Sequence, residues 1–144
     1  MAPESVNLAL VAAAALSATA ALLHVGCIVF GAPWYRVFGA GEHMATMAER
    51  GEWRPTLVTG VIVLVLSAWA AYALSGAGAL PRFPLLRTAL CLIAGVYTLR
   101  GVAGLVVAAS GRMPNRRFWW WSSLVCLVFG LTHAVGLAQR WPQL

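Results

Sequence analysis

Apolar residues run through this chain in long blocks, separated by short segments rich in arginine, proline and glycine. Crossing the hydrocarbon core of a bilayer takes about 20 mostly apolar residues. Four blocks meet that requirement, at residues 6–31, 57–74, 85–110 and 118–138. The first carries "SATA" at 17–20, which looks like a signal-peptide cleavage site. Its start, however, has Glu4 and no Lys or Arg, and the apolar run continues past the cut to Phe30. It reads as a retained helix.

The punctuation fits helices. Pro55, Pro84 and Pro114 stand just before or at the openings of spans two, three and four, where a missing N–H does no harm. Gly76 and Gly111 stand where C-caps are expected. Trp34, Tyr35, Trp53 and the triplet Trp119-Trp120-Trp121 gather near one membrane face, and Trp141 near the other, as an aromatic belt does. Between spans one and two, residues 41–50 ("GEHMATMAER") carry Met44, Met47 and Ala48 on one side and Glu42, Thr46, Glu49 and Arg50 on another. That pattern predicts a short interfacial helix stopped by Gly51. The preceding "GAPWYRVFGAG" places Gly and Pro where lipid would punish irregular backbone, so protein must cover it or it must reach the headgroups. The expected fold is all-α: one transmembrane domain over residues 1–144, an integral four-helix bundle with an interfacial helix between spans one and two.

Composition agrees. Only 10% of the residues are charged and 61% are hydrophobic, against about a quarter charged in a soluble domain. Lysine and aspartate are absent, so the positive charge rests on ten arginines. These flank the apolar blocks and do not cluster on a soluble face, which argues against nucleic acid as a partner. One side of the membrane takes Arg36, Arg50, Arg54, Arg112, Arg116 and Arg117, the other Arg82, Arg87 and Arg140. Six against three favours the first side in the cytoplasm and both termini outside. Cys27, Cys91 and Cys126 lie singly within spans and read as small apolar fillers.

One residue breaks the pattern. Arg100 lies near the middle of span three, too far from either face to snorkel. A central arginine costs about 2.5 to 3.5 kcal/mol on insertion scales and usually faces the bundle interior with a partner. Tyr97, Arg100, Gly101 and Gly104 share one helical face by their spacing, while Leu92, Leu99, Val102 and Val106 turn to lipid. No acid lies within a span. The partner is then Glu42 folding in from the first loop, backbone carbonyls and hydroxyls, or an anion from outside the chain; guanidinium suits bidentate binding of such a group. At about 1.5 Å per residue, His24 lies about 10 Å and Arg100 about 15 Å in from the same face. Thr59 and Ser122 are shallower. His24, Tyr97, Arg100, Thr59 and Ser122 form a candidate ligand-binding cluster, with Glu42 and His43 as its lid. His133 lies toward the opposite face, at a depth where the Tyr72 hydroxyl is its expected partner.

The depth difference between His24 and His133 opposes haem ligation, and no spacing gathers three metal ligands. Motifs of hydrolases, metalloproteases and nucleotide-binding loops are absent from the sequence. The pattern therefore calls for no metal or cofactor and leans away from an enzyme.

The stretches "FGAPWYRVFGAGEHMA" (30–45), "YALSGAG" (72–78), "PLLR" (84–87) and "YTLRG" (97–101) resemble small bacterial four-helix inner-membrane proteins, some of them similar to the DoxX-like group. The resemblance covers most of the chain. It implies a four-helix bundle in a bacterial inner membrane and supplies no activity and no catalytic residues. The leading expectation is an intramembrane polar pocket around Arg100 that binds an anionic lipid headgroup, a quinone-like molecule or another small amphiphile. The rivals are an accessory or assembly subunit docking a partner membrane protein through its glycine faces, and a small transporter working as a homo-oligomer.

Overall fold

A computed structural model of the chain describes residues 6–111 and 115–144. Glu4, Arg112 and Pro114 lie outside the described residues. Helices α1 (Leu8–Phe30), α4 (Trp53–Ala77), α5 (Leu86–Ser110) and α6 (Arg116–Arg140) are each long and apolar enough to cross a membrane. At 23 to 25 residues each is about 35 Å long, against about 30 Å of hydrocarbon. This is an all-α, multi-pass membrane protein. Two short helices, α2 (Ala32–Val37) and α3 (Glu42–Glu49), fill the connection between α1 and α4, and a 3₁₀ turn closes the chain at Trp141–Gln143.

The boundaries follow local chemistry, with two corrections to the sequence pattern. The second span starts at Trp53, not at 57, because Pro55 fits the first turn of α4, where no N–H is needed. Gly76 is not a C-cap. It lies inside α4, and the left-handed turn that ends the helix falls to Gly78, at φ +82°. Gly51 and Gly111 take the positive φ expected of helix stops. At the other end of the first span, the Asn7 side chain accepts the Leu10 N–H at 2.9 Å and caps α1.

The chain divides into two compact units: Met1–Ser17 with Trp69–Leu144, and Ala18–Ala68. Helices α1 and α4 contribute to both. In the first unit Leu10, Ala77, Leu86 and Leu90 form a buried cluster, with Tyr72 and Leu137 packed on it, so all four long helices share this core. Its tightest seam joins α5 to α6. Gly101 and Gly104 lie against Leu127 and Ser123, and Gly130 lies against Thr98. Small residues let two backbones approach where lipid offers no hydrophobic drive to pack. The opposite face of α5 is exposed at Leu92, Leu99, Val102 and Val106, as its periodicity requires.

In the second unit Cys27, Ala32, Tyr35 and Ala45 form the core. The "GAPWYRV" segment expected to be irregular is a helical turn, α2, with Pro33 in its first turn. Trp34 stacks on Phe30 at 4.7 Å between ring centroids and presses against the bare Cα of Gly26. Only Ala32 and Tyr35 of this segment are buried; Pro33, Arg36, Val37 and Phe38 are exposed.

The seam makes a sharp prediction. A Cβ at Gly130 would lie 3.0 Å from the Thr98 backbone nitrogen, which cannot rotate away. Gly130→Ala is expected to destabilise the protein by about 1 to 3 kcal/mol. Gly95, whose Cβ position has nothing within 4 Å, is expected to accept alanine without loss. Thermal unfolding of both variants in mild detergent checks the contrast.

Candidate functional site

Arg100 sits on the α5 face that packs on α6. Its Nη2 makes a long 3.4 Å contact with Ser122 Oγ. Its Cζ lies 4.9 Å from the centroid of the Trp119 ring, within cation–π range. Arg100 is half-buried, and its Nη1 is buried without a hydrogen-bond partner. One turn along α5, the Cα of Gly104 faces both that nitrogen and Ser123 Oγ, a second buried polar atom lacking a partner. Within this unit the described residues include no Asp or Glu. A charge is thus held by one indole face and one weak hydroxyl contact. A guanidinium in low dielectric attracts any anion that reaches it.

One turn toward the N-terminus of α5, Tyr97 enters a different network. Its hydroxyl shares a 3.0 Å hydrogen bond with Ser17 Oγ on α1. Trp69 and Phe129 meet its ring edge-on at 4.9 and 5.3 Å, and the His133 ring lies 5.3 Å away. Such aromatic pairs contribute about 0.5 to 1.5 kcal/mol beyond burial. His133 is fully buried, and its Nδ1 donates to the Phe129 carbonyl at 2.8 Å. The expected bond to Tyr72 is not made: the Tyr72 hydroxyl donates to the Pro84 carbonyl at 3.3 Å. A carbonyl one turn back on its own helix takes Nδ1 before a distant phenol can, while Nε2 is buried without a hydrogen-bond partner.

The other candidate residues belong to the second unit. His24 Nδ1 donates to the Ala20 carbonyl at 2.7 Å. Thr59 Oγ1 shares a 3.1 Å hydrogen bond with the Tyr35 hydroxyl, tying α2 to α4. Glu42 is engaged by Arg36, not by Arg100. Arg36 Nη2 lies 2.6 Å from Glu42 Oε1, and Arg36 Nη1 lies 2.8 Å from Glu49 Oε1. Arg36 is only six residues from Glu42, so the local cation claims it first. The hydrogen bonds from Arg36 hold the Glu42 carboxyl below the usual carboxylate range, and those from Glu42 and Glu49 raise Arg36 further. Glu42 and His43 line an open cleft of about 350 Å³ shared with Arg50, Glu52 and Arg54.

Of the seven candidate residues, then, Arg100 and Ser122 are in direct contact. Tyr97 has its own partners, and His24, Thr59, Glu42 and His43 serve the second unit. Sequence reasoning missed Trp119, read with its neighbours as a belt residue, and Ser17, read as part of a cleavage-like motif. The signal for Trp119 was its placement on the helix opposite the Tyr/Arg/Gly face, at the depth of Ser122. Among the described residues no three His, Cys, Asp or Glu side chains gather as a metal site.

The Arg36 clasp gives the second prediction. A carboxyl with a depressed pKa contributes its stabilisation above the ordinary carboxylate range and loses it as pH falls through the depressed value. Acidification is therefore expected to release α3 from α2, and Glu42→Gln to remove the transition. A fluorotryptophan resonance assigned to Trp34, followed against pH, reports it. The effect on global stability is small, because the pair is exposed.

Comparison with protein-family models, curated proteins and solved structures finds no match to this chain.

Proposed function

We propose that this protein binds an anionic lipid headgroup or small anionic amphiphile inside the membrane, at Arg100. The observation that carries this reading is the state of the guanidinium: half-buried, with Nη1 buried and unpartnered, in a unit whose described residues supply no Asp or Glu side chain. Burying an unpaired charge is costly unless something compensates it. A carboxylate or phosphate that meets the accessible part of the half-buried guanidinium compensates its charge, while Trp119 and Ser122 hold the rest of the fork in place.

The rival subunit reading relies on free glycine faces. Gly101, Gly104, Gly130 and Gly136 are already occupied by Leu127, Ser123, Thr98 and Leu10 of the same chain, which favours a ligand over a docked partner. The arginine distribution supports an orientation with both termini on the non-cytoplasmic side; a bacterial inner membrane is what the resemblance implies.

Arg100→Leu tests the proposal. It relieves about 2.5 to 3.5 kcal/mol of insertion cost, so the variant is expected to fold in detergent with unchanged helix content. Native mass spectrometry after incubation with phosphatidylglycerol is expected to show at least a tenfold loss of retained lipid relative to wild type, with Arg100→Lys in between. Undiminished retention in Arg100→Leu would overturn the proposal. A variant that no longer folds would assign Arg100 to structure instead.

A further inference from the structure

The second unit carries a pair of clefts that the Arg100 reading does not use. The charged cleft described above takes Glu52, Arg50 and Arg54 into its lining. A neighbouring cleft of about 480 Å³ is lined by Ile28 at the end of α1 and by Trp53, Thr56 and Leu57 in the first turns of α4. Glu52 lines both. Its position is fixed by the turn after α3: Gly51 adopts φ +71°, and the Glu52 N–H donates to the Met47 carbonyl at 3.0 Å.

The charges in this place are unspent. Glu42 and Glu49 are taken up by Arg36. Of the described side chains, Arg50, Glu52 and Arg54 take part in neither of these ion pairs, and Arg50 and Arg54 are exposed. By contrast Arg82, Arg87 and Arg140, in the first unit, all donate to backbone carbonyls. Two guanidinium groups and one carboxylate are therefore presented together at the membrane-face end of a span. The apolar cleft opens beside them, where α4 passes from Arg54 to Leu57.

We propose that these joined clefts bind one zwitterionic phospholipid whose headgroup carries a phosphate and a primary ammonium, as phosphatidylethanolamine does. Arg50 and Arg54 take the phosphate, Glu52 takes the ammonium, and the start of an acyl chain lies along Trp53, Leu57 and Ile28. Charge complementarity selects this occupant. A wholly anionic headgroup leaves Glu52 facing a like charge. A quaternary ammonium carries no N–H to donate to it, whereas a primary ammonium has three. The order of polarity also matches: charged lining at the helix entrance, apolar lining one turn deeper. This site stands apart from the Arg100 reading and shares no residue with it.

The test uses the full-length protein in detergent with short-chain phospholipids of identical tails, read by native mass spectrometry. In the Arg100→Leu background, which removes the intramembrane anionic site, phosphatidylethanolamine is expected to be retained at least fivefold more than phosphatidylcholine or phosphatidylglycerol. Retention should fall stepwise through the mono-, di- and trimethylated ammonium series. Glu52→Gln should abolish the preference for ethanolamine over glycerol, and the double variant Arg50→Gln/Arg54→Gln should lower retention of every phospholipid. Because Arg100 is absent throughout, failure here is separated from failure of the intramembrane site. Equal retention of all three headgroups in the Arg100→Leu background overturns the proposal. So does a preference for phosphatidylglycerol, the mark of simple cationic attraction, and so does a preference that survives Glu52→Gln.

Discussion

The close approach of α5 and α6 sets the geometry on which the interior depends. Hydrocarbon gives two apolar helices no reason to pack tightly, so contact must come from shape. Glycines at 101, 104 and 130 remove the side chains that would hold the backbones apart, and Ser123, Leu127 and Thr98 fill the space. That seam brings Ser122 and Trp119 within reach of Arg100. A wider spacing would leave the guanidinium with neither the ring nor the hydroxyl.

From that seam the polar interior divides by what each group can reach locally. Both histidines with described bonds take a carbonyl four residues back, because the helix always offers one at that distance. Tyr97 reaches Ser17 across to α1. A guanidinium has five N–H groups and cannot be satisfied so cheaply. Ser123 Oγ and His133 Nε2 are also buried without a partner, but Arg100 alone of the three carries a permanent charge, and that distinguishes it from a merely buried polar group.

The spans, their lipid-facing residues and the interior face of α5 were legible because each is written as a period along the chain. The short α3 was legible for the same reason, its apolar Met44, Met47 and Ala48 lying opposite Glu42 and Glu49. Partnerships were harder to read. Depth along a helix follows from counting residues, but rotation does not, and rotation decides who meets whom. Glu42 at the right depth for Arg100 was a fair inference from counting. Arg36 took it because a six-residue separation closes a loop far more readily than a 58-residue one. His133 met Phe129 and not Tyr72 on the same principle. Trp119 was hidden in a triplet whose belt role explains two of its members, Trp120 and Trp121, both exposed, and obscures the third.

The exclusive use of arginine acquires a physical reason from these contacts. Arg100 lies over Trp119 and Arg87 over Trp141, at 4.9 and 4.7 Å from the ring centroids. Arg36 spans two carboxylates at once, with separate nitrogens for Glu42 and Glu49. A planar, delocalised, weakly hydrated cation does both; an ammonium is a compact, strongly hydrated point charge with no plane to stack. Arg87 goes further, using one nitrogen for the Trp141 and Leu144 carbonyls while its plane covers the indole. Where the chain meets lipid, a cation that can stack and fork at the same time sheds less hydration for each contact made. Lysine at these three positions would keep the charge and lose the geometry, so the interactions that order α2 on α3, α5 on α6, and the C-terminal turn on α5 all depend on the shape of the guanidinium.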